Sequence, residues 1–328
     1  MRISHYRKWL QPGYALDVQE AYQAGGEEIV KTGVLTRGSE QYPIVDCIPR
    51  FVPAGNYADT FGLQWNRFRA TQLDSHVGRS ITAETFRKNT GWLPEELRGK
   101  TVLEVGSGAG RYTEVLLDAG AEVVSFDYSN AVDANHHNND HPRLFLFQAD
   151  LYELPLPKQS FDYLFCYGVL QHTPDPKKAF LSIVEYLRPG GKLSVDLYRK
   201  RRLPSPYSTA KYLWRPVTTR MNPETLLRII RAYVPFWLPV QNFLCRIPRI
   251  GGYIAALIPI PCWVHLRMGL SWRQQVDWSI MNTFDALSPA YDFPQTEKSV
   301  TGWCSLAPLG RCKVFRGSNG LVANGIKC

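Results

Sequence analysis

Three glycines at alternate positions, Gly106, Gly108 and Gly110, separate a short apolar run from a helical pattern, and Asp127 closes the apolar run after that. Glycine lets a turn take positive φ and lets a ligand come within contact distance of the backbone. The N-terminus of the following helix offers free N–H groups and a partial positive charge, which suits a carboxylate or phosphate. A carboxylate at the tip of the second strand accepts both hydroxyls of a ribose. The ligand these residues suit is a nucleoside carrying an anionic group. Further along stands His172, just past another apolar run, with an ordinary pKa near neutrality that fits proton transfer. Asp285, Tyr291 and Asp292 fall in the stretch NTFDALSPAYDFP, Asn282 to Pro294, read as a Pro-bounded loop where polar groups face an acceptor or serve as caps and turns. No serine nucleophile elbow, metal cluster or P-loop competes with these groups.

The elements that must position them follow from the apolar pattern. Val102 to Val105 reads as a buried parallel strand. Tyr112, Val115, Leu116 and Leu117 mark the apolar side of a helix, and Val123 to Phe126 a second strand. Together they make half of a doubly wound βαβ unit. Spacing then separates the possible nucleosides. The dinucleotide fingerprint G-x-G-x-x-G would place its third glycine at 111, which is Arg111. The stretch reads instead E-x-G-x-G-x-G, from Glu104 to Gly110.

That pattern resembles motif I of the class I S-adenosylmethionine (SAM)-dependent methyltransferases, and four later stretches continue the resemblance in order. Leu144 to Phe147 is a third strand followed by Gln148-Ala149-Asp150-Leu151; Ser160-Phe161-Asp162 leads into a fourth, Tyr163 to Tyr167. Gly168-Val169-Leu170-Gln171-His172-Thr173-Pro174-Asp175 is similar to the G-V-L-H-H-T-x-D motif of ubiquinone-methyltransferase-like enzymes, with Gln171 in place of the first His. A helix, Lys177 to Leu187, and the turn Arg188-Pro189-Gly190-Gly191 precede a fifth strand, Lys192 to Tyr198. The resemblance implies an α/β fold, a Rossmann-like seven-stranded sheet with its last strand antiparallel, and SAM as cofactor. It implies cofactor contacts from Glu104, Gly106, Ser107, Gly108, Gly110, Arg111, Asp127, Tyr128, Asp150, Leu151, Tyr167 and Gly168. In such enzymes Asp150 would meet the adenine amine and Leu151 its ring, and the helices ahead of motif I fold over the methionine end. Phe61, Trp65 and Phe68 share a helix face there, which makes Trp65 or Arg67 a cavity-lining residue or plain core.

The remaining organisation is read as five segments. Residues 1–55 are a leader whose Glu40–Pro53 stretch, EQYPIVDCIPRFVP, reads as a small β-hairpin. It is similar to the closing hairpin of Trm112-type zinc ribbons, without their upstream cysteines. Residues 56–100 form a helical cap segment, 101–198 the SAM-binding core, 199–294 an insertion, and 295–328 a C-terminal helix and hairpin. The hairpin, Cys312–Arg316 with Leu321–Lys327, completes the sheet. From Arg199 to Arg273 there are 13 Lys or Arg and one acid, Glu224, so the insertion holds the whole +9 excess of the chain. Asn222-Pro223-Glu224 starts a helix there, with Leu226, Leu227, Ile230 and Tyr233 on one side and Arg228 and Arg231 on the other. The uncharged run Ile250 to Leu266 is interrupted by Gly251, Gly252, Pro259 and Pro261 and is no membrane span. The insertion reads as a packed helical cap, a contact with an anionic membrane or greasy substrate, or an RNA contact.

Seven scattered cysteines with no C-x-x-C support neither a disulfide framework nor a zinc knuckle, and no secretory leader is visible at the first residue. A cytoplasmic protein is expected, with peripheral contact to a membrane through the insertion as the alternative. The function expected is methyl transfer from SAM to a hydroxyl, carboxyl or activated carbon of a small hydrophobic molecule, lipid-like or anionic, with no metal. His172, Tyr167, Asp285 and Tyr291 are the catalytic candidates, and Tyr112, Tyr128 and Tyr167 the rings for the sulfonium charge. An RNA methyltransferase, disfavoured by the lack of an RNA-binding module, and a non-catalytic SAM-fold partner are the other readings; a dehydrogenase stands further off on the glycine spacing.

Overall fold

The computed structural model describes residues 1–53, 55–200, 206–248, 250–265 and 268–328. Of the basic set in the insertion, Arg201, Arg202, Arg249 and Arg267 lie outside the described residues, as does Leu266 at the end of the uncharged run.

The chain opens with α1 (Ile3–Trp9) and an antiparallel meander in the order β1 (Ala15–Ala24), β2 (Glu27–Arg37), β3 (Glu40–Val45), β4 (Ile48–Pro49). The expected hairpin is β3–β4, but two longer strands precede it, so the leader is a four-stranded sheet. β1 is exposed along nearly its whole length, so it carries no apolar alternation for a reader to find. The module is not separate from the rest: Trp9 stacks on Phe161 at 5.2 Å, Phe51 meets Phe147 edge-on at 5.9 Å, and Arg50 bridges to Gln148. Four helices follow, α2 (Asp59–Arg67), α3 (Asp74–Val77), α4 (Ile81–Thr90) and α5 (Pro94–Leu97).

The central sheet alternates with helices: β5 (Thr101–Val105), α6 (Arg111–Asp118), β6 (Glu122–Asp127), α7 (Ala131–Asn138), β7 (Leu144–Gln148), β8 (Phe161–Cys166), α8 (Pro176–Val184) and β9 (Leu187–Leu197). These strands are apolar on both faces, as parallel strands covered by helices must be; Val102, Leu103, Val123, Val124, Phe161 and Leu164 are all fully buried. α8 stops earlier than expected, and β9 begins at Leu187, taking in the Pro-Gly-Gly turn.

Four helices then intervene: α9 (Pro206–Thr218), α10 (Pro223–Arg246), α11 (Gly251–Leu257) and α12 (Trp272–Leu287). α10 starts as the sequence predicts, the Asn222 side chain accepting from Thr225 N with Pro223 at the first position. Leu226, Leu227, Ile230, Val234 and Leu238 pack with Trp278, Met281 and Phe284 of α12 and with Phe68 into a core of their own. The insertion is thus a helical cap with an apolar interior. Its ends meet: Gln295 N donates to Tyr198 O and Lys200 N to Gln295 O, both at 2.7 Å.

The stretch from Asn282 is not the loop the sequence suggested. Its first half is the last part of α12, a 16-residue helix whose N-terminus is capped by Ser271 and Gln274, and the loop proper begins at Ser288. Asn282, Thr283 and Asp285 look like loop residues because they are polar; they sit in a helix because Ile280, Met281, Phe284 and Leu287 bury its other positions.

α13 (Glu297–Leu306), β10 (Leu309–Arg316) and β11 (Leu321–Lys327) finish the sheet in the order β10-β11-β9-β8-β5-β6-β7. β11 runs antiparallel to both neighbours, and the other strands run with β5. Cys304 and Cys312 are bridged, against the expectation of no disulfide. The turn from α13 into β10 brings their Cα atoms to 6.1 Å, a proximity that their scattered spacing in sequence did not signal.

Candidate active site

Strand order reverses between β5, which leads outward to β6 and β7, and β8, which leads to β9. In open α/β sheets a ligand crevice forms at the carboxyl ends of the strands at such a point. A cavity of about 480 Å³ lies there, floored by Val105 to Ala109, Phe126 to Tyr128, Asp150, Leu151 and Tyr167 to Val169. α2 contributes Phe61, Gln64 and Trp65, the cap contributes Trp263, His265, Trp278, Asn282 and Asp285, and the β10–β11 turn contributes Ser318 and Asn319.

The glycine loop is shaped by its neighbours. Gly108 has φ of 52°, its N–H donates to Asp127 Oδ2 at 3.0 Å, and a Cβ there would come within 3.1 Å of the Trp65 ring. Gly110 has φ of 85° and caps α6; a Cβ would lie 2.1 Å from Asn135 Oδ1. α7 grips the loop with side-chain amides: Asn138 donates to Ala109 O, and Asn139 to Gly110 O. Gly110 therefore stands behind the cavity wall. It shapes the loop from there and, unlike the other glycines of the motif, is not among the residues that line the cavity.

Glu104 is also behind the wall. In a strand, neighbouring side chains point to opposite faces, so Val105 reaches the cavity and Glu104 turns toward α6. Its Oε2 accepts from Thr113 Oγ1 and from Ser125 Oγ at 2.8 Å, and Asn135 donates to the same Thr113. Burial pushes this carboxyl up to about 7 despite those hydrogen bonds. Asp127 does open on the cavity. Its Oδ1 accepts from Ser129 N and Oγ at 2.8 and 2.7 Å; burial raises its pKa, and these bonds oppose the rise.

His172 lies in a short 3₁₀ turn, Leu170–His172, and lines the cavity. Its Nδ1 is 2.9 Å from the Tyr291 carbonyl, which can only accept, so Nδ1 carries the proton. Nε2 is then a lone-pair nitrogen, and it is buried without a partner among the described residues. Phe61 and Tyr198 pack edge-on against the ring at 5.1 and 5.3 Å. Burial lowers the His172 pKa, with the Asp285 and Asp292 carboxylates pulling the other way and Lys211 adding to the fall. The Tyr291 side chain does not line the cavity; its main-chain carbonyl is what matters, because it fixes the imidazole tautomer.

Asp285, on α12, accepts from Gln64 Nε2 at 3.3 Å and from Tyr198 OH at 3.1 Å, tying the cap to α2 and to the end of β9. Burial holds the Tyr198 hydroxyl protonated, well above the ordinary tyrosine range. Tyr167 lends its ring to the cavity, stacked on Phe165 at 4.3 Å, but its hydroxyl bonds to Ser194 at 2.8 Å, and Ser194 in turn donates to Asn324. Its pKa is raised by burial, so it is no proton acceptor.

The other expected contacts, Gly106, Ser107, Arg111, Tyr128, Asp150, Leu151 and Gly168, all line the cavity. Trp65 does too, whereas Arg67 is on the surface beside Glu224 and Arg69 takes the lining position. Sequence reading missed His265, Trp263, Trp278, Asn282, Tyr57 and Gln64. The His265 pKa is lowered to about 4 by burial, and Asn282 Nδ2 lies 3.1 Å from its Nε2. No spacing linked these residues to the glycine loop; they converge only because the cap closes over it.

A family model described as a methyltransferase domain matches residues 103–195, from β5 to β9. This core is a class I SAM-dependent methyltransferase domain. Across 100 residues, 30% of this chain, it is 35% identical to a ubiquinone biosynthesis O-methyltransferase of Coxiella burnetii, of which the match covers 43%. A probable SAM-dependent methyltransferase of Mycolicibacterium smegmatis is 33% identical over 104 residues, 32% of this chain and 40% of its own length. The chain thus spans less than half the length of these curated relatives. Among solved structures, human N-acetylserotonin methyltransferase in complex with SAM aligns over 84% of this chain and 60% of its own, at 15% identity and a TM-score of 0.45. The meander, the cap and the cavity roof lie outside the matched methyltransferase domain.

The residues of the domain fit the cofactor. Gly106 and Gly108 hold the positive φ that a close backbone approach needs, Asp127 presents a carboxylate at the strand tip, and Leu151 and the Tyr112, Tyr128 and Tyr167 rings supply apolar and π surface.

Proposed function

We propose that this protein transfers a methyl group from SAM to a hydroxyl, carboxyl or activated carbon of a small, mainly apolar acceptor. The observation that carries this reading is His172 Nε2: a buried lone pair with no partner among the described residues, in a cavity that also contains the motif I loop. Bound SAM supplies a methyl group made electrophilic by its sulfonium. The chain's own work is to hold an acceptor beside that methyl, exclude water and take up a proton. Asp127, the glycine-loop amides and Asp150 hold the cofactor's polar groups. Phe61, Trp65, Trp263 and Trp278 roof the site and keep it dry. His172 takes the acceptor's proton on Nε2 while the Tyr291 carbonyl holds Nδ1–H, and the nearby Asp285 carboxylate favours the imidazolium that results. The wall is aromatic with a few convergent polar groups, which suits a compact, part-apolar molecule.

Calorimetric titration of S-adenosylhomocysteine tests the cofactor site. Binding to the wild type is expected, and Asp127→Ala should weaken it by about 1–3 kcal/mol, the cost of unpairing a buried hydrogen-bonding group. No binding to the wild type would sink the proposal. A radiolabelled methyl-transfer screen of phenols, quinols and carboxylic acids then identifies the acceptor.

A further inference from the structure

The cap has two apolar sides, and only one is covered. Thirteen of the twenty exposed large apolar side chains among the described residues fall between Tyr212 and Trp272. On α10, the covered side is the row from Leu226 to Leu238 described above. A second row, Ile229, Phe236, Val240 and Phe243, repeats at intervals of seven, four and three residues and therefore forms one stripe facing outward; Phe236 is 81% exposed. α11 repeats the arrangement with Ile250, Ile254 and Leu257, the last 83% exposed, and α9 with Leu213 and Val217. The three helices are held together at one loop: Trp214 Nε1 donates to Pro259 O at 2.6 Å and Tyr233 OH to Pro261 O at 2.7 Å. The exposed stripes thus belong to a single unit.

Charge decides what covers it. Arg228, Arg231 and Arg246 are exposed on α10, Arg220 just after α9 and Arg273 at the start of α12, within a segment that has 13 basic residues and one acid. Two copies of this face brought together would oppose like charges. A nucleic acid would meet the arginines and leave the Phe and Leu stripe unsatisfied. A surface that is anionic at its rim and apolar beneath satisfies both sets.

We propose that the α9–α10–α11 face is a docking surface for an anionic lipid bilayer, with Phe236, Phe243 and Leu257 inserted among the headgroups. No described helix is long and apolar enough to cross a membrane, so the contact is interfacial. The chain that leaves α11 runs straight into Trp263 and His265, which wall the cavity. If the methyl-transfer reading holds, the bilayer is also where an apolar acceptor is collected; the docking itself does not depend on that reading.

The test is co-sedimentation of the full chain with phosphatidylcholine vesicles made with and without phosphatidylglycerol, at low and high salt. Partitioning onto the phosphatidylglycerol vesicles, reduced by salt, is expected, and F236S/F243S should lower it by roughly tenfold or more. Both side chains are exposed, so the variant should keep the wild-type melting temperature and S-adenosylhomocysteine binding, which separates loss of docking from loss of fold and from failure of the cofactor site. Absence of wild-type partitioning, or equal partitioning by the variant, would overturn the proposal. So would a wild-type dimer in light scattering that the variant returns to monomer, or RNA that co-purifies with the wild type and is lost from the variant.

Discussion

At the scale of the residue, the proposed chemistry turns on one proton. His172 is held neutral by burial, and its tautomer is set by a main-chain carbonyl from a loop 119 residues away. A base with a lowered pKa is already free above the ordinary histidine value of 6.5, so methyl transfer to a protonated acceptor should be flat in kcat/KM above that pH. It should fall only at more acid pH, on a limb displaced below 6.5. His172→Gln should lower kcat by about 10²–10⁴-fold and leave S-adenosylhomocysteine affinity unchanged in the same titration. An unaltered kcat would remove His172 from the chemistry.

At the scale of the element, Glu104 joins β5, α6, β6 and α7 through Thr113, Ser125 and Asn135, which is a structural task more than a ligand-binding one. Its pKa is raised from 4.5 unfolded to about 7 folded. The folded state therefore binds the proton more tightly. The associated stability is fully present below pH 4.5 and is lost as pH rises through about 7. A shift of that size is worth on the order of 3 kcal/mol. Glu104→Gln cannot ionise, so its stability relative to wild type should improve steadily from pH 5 to pH 8. Urea midpoints for both proteins across that range check this; a constant difference would contradict it.

At the scale of the molecule, the first helix of the cap is tied to the cap's closing segment by buried polar contacts. Lys211 Nζ of α9 lies 2.8 Å from Asp292 Oδ2, with the two side chains only 9% and 1% exposed. Arg215 donates to the carbonyls of Ala286 and Pro289 at 3.1 and 2.7 Å. Asp292→Asn leaves a buried lysine without its counter-ion and should cost about 3–5 kcal/mol, whereas Lys211→Met with Asp292→Leu should recover most of that loss. Chemical denaturation of the two variants distinguishes an ion pair that holds the cap from one that merely sits beneath it. Trp263, His265, Trp278 and Asp285, which line the cavity, all belong to the same cap.

The sequence by itself determined the core. Parallel strands buried on both faces must be written as continuous apolar runs, and a ligand turn needing positive φ must be written with glycine, so β5 to β9, the glycine loop and Asp127 could be read directly. The α10 start was equally legible, because a cap is a local interaction between Asn222 and the next turn. What local pattern cannot carry is convergence. Glu104 and Val105 are adjacent, yet only the pleat and the packing of α6 send one to an interior network and the other to the cavity. Asp285 looked like a loop acid until burial of its helix neighbours placed it on α12. His265 and Trp278 gave no signal at all. The glycine-loop residues that share the cavity with them are distant in the chain, and that proximity exists only once the cap has folded back across the carboxyl edge of the sheet.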